Sequence, residues 1–396
     1  MFLDAVTRDY NYAPSAVMVA APTLWLRELV AIAKAAQSIT ERIVSKDLIS
    51  LWKDVEPEVA HQITAEYLVK SSSAIILLGN LAQSHPRFAE LRALAGIIAD
   101  LTGASLGYLP EGAGTVGAWL AGCVPHRGPG GNLVEVGQNW HNMVTGGVKG
   151  LLILGAELDH DCANSDAAVK GLRNTDFVVS LSPWNSRAQE DYADAILPVT
   201  PYAETSGTYV NLEGRWQGFQ GAATPLGEAR PGWKVLRVLG NLLDLKGFDY
   251  FSSEQVLSEV KELIGIITPN NFMPWRIPQE IKSSQKGLTR FGEVPPYAGD
   301  ALVRRANVLQ ATPDGQIGVA ARINATTATH LGLADFIMVT VHQGESKADL
   351  PLVMDNRVAE GCVSVPSAVL ETATLGENFG DVKLIAVTAT PDRIII

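Results

Sequence analysis

Cysteine is scarce in this sequence. The 396 residues contain three, Cys123, Cys162 and Cys362, and they lie far apart. This spacing provides neither a disulfide framework nor the ligand set of a zinc or iron–sulfur site. The usage is typical of a protein from a reducing compartment.

Positive charge and long apolar runs are also lacking. Lys and Arg number 31 against 42 Asp and Glu, which gives a net charge of −11 and a pI near 5.2. That balance argues against nucleic-acid binding. Apolar runs such as AIILLG (74–79) are too short to cross a bilayer as a helix, so we expect no membrane insertion.

Complete nucleotide and catalytic motifs are missing as well. The glycines that end apolar runs begin no full GxGxxG, and HRGPGGN (126–132) is followed by no GK[ST]. We find no Ser-His-Asp or Cys-His set. DHDC (159–162) places four ligand types in a row, but neighbouring side chains point in different directions. The sequence therefore predicts no catalytic residue and no metal site.

The sequence does contain four short apolar runs that alternate with amphipathic helices between residues 62 and 247. The runs are AIILLG (74–79), GLLILG (150–155), DFVVSLS (176–182) and YADAILPVT (192–200). Strands that alternate with helices predict an α/β fold with a doubly wound, mainly parallel sheet. Ligands of such sheets bind outside the carboxyl ends of the strands. We therefore expect the four following loops to converge on one edge.

Two helical regions lie before and after the four apolar runs. Residues 1–61 show helical spacing over 23–37 and 38–53 and no strand of their own, so we predict the helical tail of an upstream α/β domain that starts before Met1. Pro231 opens a further helix, which the 62–247 domain includes. Its predicted core face consists of Val235, Leu236, Leu239, Leu242 and Leu243.

The rest of the chain changes character twice. Residues 248–297 are rich in Pro, Ser and Gly and are predicted to be an irregular connector, whose exposed apolar residues form part of an interface. Residues 298–396 alternate with period two, as at Ile337, Val339 and Val341. This pattern predicts a small C-terminal β-barrel domain or sandwich.

The stretch ETSGTYVNLEGRWQ (204–217) is more polar than a connection requires. Gly207 allows a positive φ or a close backbone approach, and Asn211 both donates and accepts. Arg215 is a bidentate donor for phosphate or carboxylate. The set suits a polar, anionic, nucleotide-like ligand. A structural alternative stays open, in which Glu204 pairs with Arg215, Asn211 caps a turn and the glycines only bend the chain.

Four motifs carry a family resemblance, which covers essentially the whole chain. They are LPEGAGTVGAWLAG (109–122), YAETSGTYVNLEGRWQ (202–217), PLGEARPGWKVLRVLGNLL (225–243) and RFGEVPPYAGDALVRRA (290–306). The chain resembles the C-terminal half of the G subunit, the 75 kDa iron–sulfur subunit of NADH-quinone oxidoreductase (respiratory complex I). That family belongs to the molybdopterin oxidoreductase superfamily, and the last 99 residues resemble its molybdopterin-dinucleotide-binding barrel.

The resemblance implies a structural role in an oxidoreductase complex that transfers electrons from NADH to quinone. It implies a C-terminal fragment whose missing half holds the iron–sulfur clusters, with other subunits of the complex I peripheral arm as partners. The location implied is cytoplasmic, on the cytoplasmic face of the inner membrane. The fragment alone is expected to have no cofactor and no catalytic centre.

The resemblance also interprets the polar stretch. Working molybdopterin enzymes usually have GT..N.ERR there, and in this chain Gly214 replaces the first arginine. We therefore expect a vestigial pterin pocket from which molybdopterin has been lost, formed by Glu204, Thr205, Gly207, Thr208, Asn211, Glu213 and Arg215. The alternative is a fragment of an active molybdopterin-dependent oxidoreductase of the formate dehydrogenase or nitrate reductase type.

Overall fold

The computed structural model describes residues 1–266, 274–282, 287–316 and 319–387. The chain forms two compact units. Unit 1 consists of Met1–Leu109 and Asn271–Ile396, and unit 2 of Pro110–Asn270. The sequence suggests different boundaries, after residues 61, 247 and 297. The division of the chain at those three positions stays a prediction.

The helices are named in chain order. They are α1 (Trp25–Thr40), α2 (Lys46–Leu51), α3 (Val59–Lys70), α4 (Asn80–Gln83), α5 (Phe88–Thr102), α6 (Thr115–Ala121), α7 (Trp140–Thr145), α8 (Ser165–Arg173), α9 (Arg187–Tyr192), α10 (Gly232–Leu242), α11 (Ser253–Ile264), α12 (Asn307–Gln310), α13 (Pro313–Gln316) and α14 (Ala325–His330). None of the described helices is long and apolar enough to cross a membrane.

The strands are named in the same way. They are β1 (Phe2–Asp4), β2 (Val17–Val19), β3 (Ile75–Leu78), β4 (Ser105–Tyr108), β5 (Gly150–Leu154), β6 (Phe177–Ser182), β7 (Ala195–Pro198), β8 (Gly207–Val210), β9 (Trp216–Phe219), β10 (Leu288–Phe291), β11 (Ala321–Ile323), β12 (Met338–Gln343), β13 (Ser346–Met354), β14 (Cys362–Ser364) and β15 (Phe379–Ala386).

Local signals explain where several helices begin and end. Gly103 ends α5 in the left-handed conformation, with φ 80°, and its N–H donates to Ala99 O. A capping box opens α9, since Ser186 Oγ accepts from the Gln189 N–H while Gln189 Oε1 accepts from the Ser186 N–H. These residues are visible in the sequence, and they explain where α5 ends and where α9 begins.

The expectation that the first fifty residues lack strands is wrong. β1 and β2 form a short parallel pair in unit 1. Each has three residues, too few to show a period-two pattern. The helix expected over 38–53 is confined to α2, because α1 runs on to Thr40 and ends at Glu41, whose φ of 53° is left-handed.

The α/β class with parallel strands is confirmed, but the four predicted strands do not share one sheet. β3 pairs in parallel with β4 in unit 1, whereas β5, β6 and β7 form a parallel three-stranded sheet in unit 2. The single sheet edge expected for all four loops is therefore wrong: β5, β6 and β7 share one sheet, and β3 belongs to another. The sequence SLGY of β4 contains too little apolar pattern to reveal it as the partner of β3.

The core face predicted for α10 is only partly correct. Leu242 is 77% exposed and Leu243 is 60% exposed. The chain leaves the helix there and turns through Asp244, which has a φ of 54°. Helical spacing identified the helix, but it could not show that the last turn of the stripe has no partner within the described chain.

The C-terminal β structure is a closed barrel of six strands in the order β10-β14-β11-β13-β12-β15. Alternate residues such as Val339, Val341 and Leu350 are fully buried inside it. The first barrel strand, β10, lies inside the segment predicted as a connector. Its four residues are too few to be recognised as a strand.

Arg290 of β10 is a buried cation at one end of this barrel, with 1% of its surface exposed. Its guanidinium donates to six oxygens: Val365 O, Pro366 O, Gly376 O, Glu377 O, Gln343 Oε1 and Ser367 Oγ. No carboxylate among the described residues forms an ion pair with it, and burial lowers its pKa to about 10. The cation is therefore held by dipoles alone, and it ties the loops at that end to β10.

We predict that Arg290→Met lowers the free energy of unfolding by about 3–5 kcal/mol, because the carbonyls it leaves are buried without donors. Arg290→Lys should recover only part of the loss, since an ammonium has fewer donors in a different geometry. Urea unfolding measures both variants. Lys383→Met, which removes an exposed cation from β15, is the control. A loss below about 1 kcal/mol for Arg290→Met would contradict the role given to Arg290.

His85 of unit 1 gives the fold a pH dependence. Its ring lies between Trp25 and Phe379, and its Nδ1 accepts from the Arg87 N–H at 3.0 Å. Burial lowers its pKa from 6.5 to about 4. The unfolded chain thus takes up a proton between pH 6.5 and 4 that the folded chain does not.

We therefore predict that the free energy of unfolding falls as the pH drops from 6.5 to 4, and that His85→Asn falls less steeply. Asn keeps an acceptor near Nδ1 but does not titrate. Urea titrations at several pH values give both slopes, and the difference between them isolates His85 from the other groups. Equal slopes would show that His85 titrates alike in both states.

Candidate functional site

The polar stretch predicted as a site forms an antiparallel hairpin in unit 2. β8 pairs with β9 in a register that places Gly207 opposite Phe219 and Val210 opposite Trp216. The turn between them is closed by Asn211, whose Oδ1 accepts from the N–H groups of Glu213 and Arg215 at 3.0 and 2.9 Å. Asn211 thus caps a turn, as the structural alternative expects.

Two glycines of the hairpin have different roles. Gly214 has φ 77°, so the turn uses its left-handed conformation. Gly207 has no positive φ, but a Cβ there would lie 2.7 Å from the Phe219 ring. The second of the two possibilities at Gly207, a close approach, is therefore the one observed, and the neighbour is a side chain of the same hairpin.

The other predicted residues are spread around the hairpin. Glu204 Oε2 accepts from the Leu226 N–H at 3.3 Å, and Thr205 Oγ1 donates to Ser206 O. Glu213 and Arg215 are exposed in the turn, and Arg215 pairs with no carboxylate of the described chain. The expected Glu204–Arg215 pair is absent from these residues. Whether the seven form a cofactor site stays a prediction.

A cavity of about 410 Å³, which we call the hairpin cavity, lies beside the hairpin within unit 2. Of the seven predicted residues, Gly207 and Thr208 line it. Its other walls come from α6, β8, β9, α10 and α11: Gly117, Ala121, Val210, Trp216, Gly218, Phe219, Trp233, Val256, Leu257 and Val260. The polar lining consists of Thr208, Ser206, Gln220, Ser253 and Glu254.

Sequence reasoning missed Trp233, Ser253 and Glu254. Trp233 stands in the motif GEARPGWKVLRVLGNLL, whose pattern indicated a helix and nothing more. Ser253 and Glu254 begin α11, which lies in the segment assigned to an irregular connector. The spacing of Val256, Leu257 and Val260 along SEQVLSEVKELI was the signal that could have revealed this amphipathic helix.

The electrostatics of the hairpin cavity oppose an anionic ligand. Glu254 is the single charged residue of its lining. A hydrogen bond with Ser252 holds the pKa of Glu254 below its usual value, so the carboxylate is ionised at neutral pH. Lys261 and Lys234 lie 5.3 and 5.4 Å from the Trp216 and Trp233 rings without lining the cavity. These residues do not fit the diphosphate of a pterin dinucleotide.

DHDC (159–162) forms contacts of its own in unit 2. His160 Nε2 lies 3.4 Å from Asp159 Oδ2, and Asp161 Oδ2 accepts from the Glu157 N–H. Burial, then the charges of Asp161 and Asp159, raise the pKa of the Cys162 thiol to about 12. The thiol is therefore protonated at neutral pH and is a weak nucleophile. The described residues contain no cluster that could hold a metal ion.

The loop after β6 is held at the carboxyl edge of the unit 2 sheet by hydrogen bonds of Ser182. Ser182 Oγ accepts from Gln189 Nε2 and the Trp184 N–H and donates to Trp184 O. Ser182 is 4% exposed and Gln189 is fully buried. These polar groups at the strand end are therefore satisfied within the protein, and they stabilise the start of α9.

Comparison with known proteins identifies the class to which this fold belongs. Residues 49–242 match the family model described as molybdopterin oxidoreductase. The matched region ends with α10 and includes the hairpin. This region, just under half of the chain, is therefore similar to a molybdopterin oxidoreductase domain, and the fold is of the molybdopterin oxidoreductase type with a closed barrel near the C-terminus.

Curated proteins of three different functions are similar in sequence to this chain. The G subunit of NADH-quinone oxidoreductase from Mycobacterium bovis is 27% identical over 318 residues, covering 72% of this chain and 38% of that protein. A putative formate dehydrogenase of Staphylococcus aureus is 31% identical, covering 34% of this chain and 14% of its own length. The assimilatory nitrate reductase catalytic subunit of Bacillus subtilis is 33% identical, covering 30% and 16%. The chain thus spans well under half the length of these relatives.

Among solved structures, acetylene hydratase from Pelobacter acetylenicus matches 60% of this chain and 41% of its own, with a TM-score of 0.46 and 19% identity.

We predict that Gly207→Ala lowers the free energy of unfolding by about 1–2 kcal/mol, because the new methyl group must displace the Phe219 ring. Gly218→Ala is the matched control. It lies opposite Thr208 in the same hairpin, where a Cβ meets only Gly207 O at 4.0 Å. The control should be neutral or stabilising by about 0.5 kcal/mol. Thermal or urea unfolding compares the two, and equal values would contradict the close approach.

Proposed function

We propose that this chain is the structural C-terminal portion of a protein like the G subunit of NADH-quinone oxidoreductase. In this role it frames electron transfer from NADH to quinone without a cofactor of its own. The iron–sulfur clusters belong to another part of the longer protein. The partners are other subunits of the peripheral arm, on the cytoplasmic face of the inner membrane.

The observation that carries the proposal is the extent of the sequence match. The NADH-quinone oxidoreductase relative aligns with 72% of this chain, whereas the formate dehydrogenase and nitrate reductase relatives align with 34% and 30%. Shared superfamily structure explains a match of a third of the chain. A match that runs through most of it favours the NADH-quinone oxidoreductase branch.

The hairpin supports the absence of a bound pterin. Asn211 Oδ1 is used by two backbone N–H groups, and Glu204 Oε2 accepts from the Leu226 N–H. The lining of the hairpin cavity contains the carboxylate of Glu254 and no cation that could pair with a diphosphate. The polar residues of this stretch thus stabilise loops of unit 2.

Exposed apolar side chains support a role in an assembly. Phe251 is 81% exposed and Leu242 is 77% exposed, and both belong to unit 2. By contrast, the part of the predicted connector over 274–282 packs on its own unit, where Trp275 covers Gly96 of α5 and donates to Asp100. Residues 267–273 and 283–286 lie outside the described residues. We therefore assign the interface to the region around Leu242 and Phe251.

The alternative function is a molybdopterin-dependent oxidoreductase of the formate dehydrogenase or nitrate reductase type. The identities of 31% and 33% to those relatives, above the 27% to the NADH-quinone oxidoreductase relative, favour it locally. In that case the chain would be part of an enzyme with its own metal centre.

Purification of the native protein under an affinity tag on this chain distinguishes the two functions. Detergent-solubilised membranes are fractionated, and each fraction is assayed for NADH-quinone, formate and nitrate activity. Iron, molybdenum and tungsten are measured by elemental analysis in the tagged complex. We expect the tag to co-migrate with NADH-quinone activity and with iron, and molybdenum and tungsten to remain at background.

A stoichiometric content of molybdenum or tungsten would overturn the cofactor-free proposal. If formate or nitrate activity accompanied it, the alternative function would be established.

Double substitution of Leu242 and Phe251 by Ser tests the interface, with Leu226→Ser, an equally exposed position in unit 2, as the control. The proposal expects the double variant to leave the complex and the control to remain.

A further inference from the structure

The hairpin cavity has the composition of a small-molecule site. Its volume of about 410 Å³ lies within the range of ligand pockets, about 300–1,000 Å³. Three aromatic rings, Trp216, Phe219 and Trp233, contribute to its walls. Helix α11 adds the aliphatic side chains of Val256, Leu257 and Val260. Rings and branched chains of this kind favour a flat, hydrophobic ligand.

A small polar group is available at one side of the cavity. Ser206 Oγ and Ser253 Oγ lie 2.7 Å apart and share one hydrogen bond. Ser253 and Gln220 also hydrogen-bond the Glu254 carboxylate, so the pair offers the lone pairs of Ser206 to a ligand. The hydroxyl of Thr208, which also lines the cavity, can donate. A ring nitrogen or N–H group of a ligand could therefore be bound there.

The surrounding charges disfavour ligands of either sign. The carboxylate of Glu254 is ionised and lines the cavity, so it opposes anions. The ammonium groups of Lys261 and Lys234 lie over the Trp216 and Trp233 rings and oppose cations near those rings. All three charges are exposed and therefore screened, so their effect on a charged ligand is modest. A charged ligand would also lose its hydration on entering an apolar cavity, which disfavours its binding further.

We propose that the hairpin cavity binds an uncharged, planar heteroaromatic compound, in contact with the tryptophan rings and hydrogen-bonded by Ser206 or Thr208. This inference does not depend on the proposed function, because it uses only the lining of unit 2. It replaces the nucleotide-like, anionic ligand that the polar stretch suggests.

Three fluorescent probes of nearly equal shape test the class of ligand: acridine, acridine-9-carboxylate and N-methylacridinium, at pH 8, where acridine is uncharged. Equilibrium dialysis against the full chain gives the three dissociation constants. We expect acridine to bind about tenfold more tightly than the carboxylate, because the carboxylate loses hydration. The cation should also bind more weakly than acridine. A carboxylate or cation that binds as tightly as acridine would overturn the proposal, as would the absence of binding by acridine.

Substitutions place the probe in the cavity. Leu257→Trp fills space in the lining and should weaken acridine binding about tenfold. Leu263→Trp, at a 51% exposed position of the same helix outside the cavity, is the matched control. Retained acridine binding in a folded Leu257→Trp variant would place the probe elsewhere and refute the site.

A surface variant keeps the test decisive if Leu257→Trp does not fold. Glu254→Gln should strengthen binding of acridine-9-carboxylate about threefold relative to that of acridine, because an exposed charge acts weakly. Glu262→Gln, on the same helix but outside the lining, should change neither. An unchanged carboxylate affinity in Glu254→Gln, or an equal gain in Glu262→Gln, would overturn the charge argument.

Discussion

The buried guanidinium of Arg290 is the interaction on which the construction of unit 1 depends most. β10 has four residues, and its two sides face different cores. Leu288 packs in the barrel core, while Phe291 belongs to the core formed with α1 and α5. Arg290 then fixes the loops at one end of the barrel by donating to their carbonyls. A hydrophobic side chain could fill that space but could not satisfy those oxygens. Leu288 and Phe291 of this short strand thus connect the two cores. Arg290 supplies the hydrogen bonds that the loop carbonyls accept.

The sequence predicts the elements of the fold better than their partners. The apolar runs that became β3, β5, β6 and β7 were recognisable because each is short, continuous and followed by glycine or a small polar residue. Their distribution between two units was not, because an apolar run carries no information on which strand it will pair with. Period-two alternation in β12 and β13 predicted a barrel or a sandwich, and the family resemblance favoured the barrel that is observed, whereas β10 has too few residues to show the pattern. Arg290 illustrates the same limit, since it stands at the start of a recognised motif but its burial depends on loops more than seventy residues away.

For the candidate site too, the sequence predicted local features but not long-range contacts. The sequence identified the hairpin as chemically unusual and assigned its turn to Asn211 as one of two possibilities. It could not identify the cavity beside the hairpin, because the residues that complete it, Trp233 and Glu254, come from helices that follow later in the chain. Long-range proximity of this kind requires the tertiary structure. The sign of the local charge was consequently predicted from Arg215, which is exposed in the turn, rather than from Glu254, which lines the cavity.

The resemblance to working molybdopterin enzymes expects an arginine where this chain has Gly214, and an arginine there would change the backbone as well as the charge. Gly214 adopts φ 77°, and an L-residue in the left-handed region is strained by about 1–2 kcal/mol. An arginine at this position would therefore strain the turn or force it to rebuild. The turn that exists is stabilised by Asn211, whose carbonyl oxygen receives two backbone N–H groups that a ligand would otherwise compete for. Groups suited to hold an anion are equally suited to satisfy backbone donors, which explains how a stretch that resembles a ligand site can serve as structure. The cavity beside it differs from the turn, since Asn211, Glu213 and Arg215 do not line it and most of its walls are aromatic and aliphatic side chains.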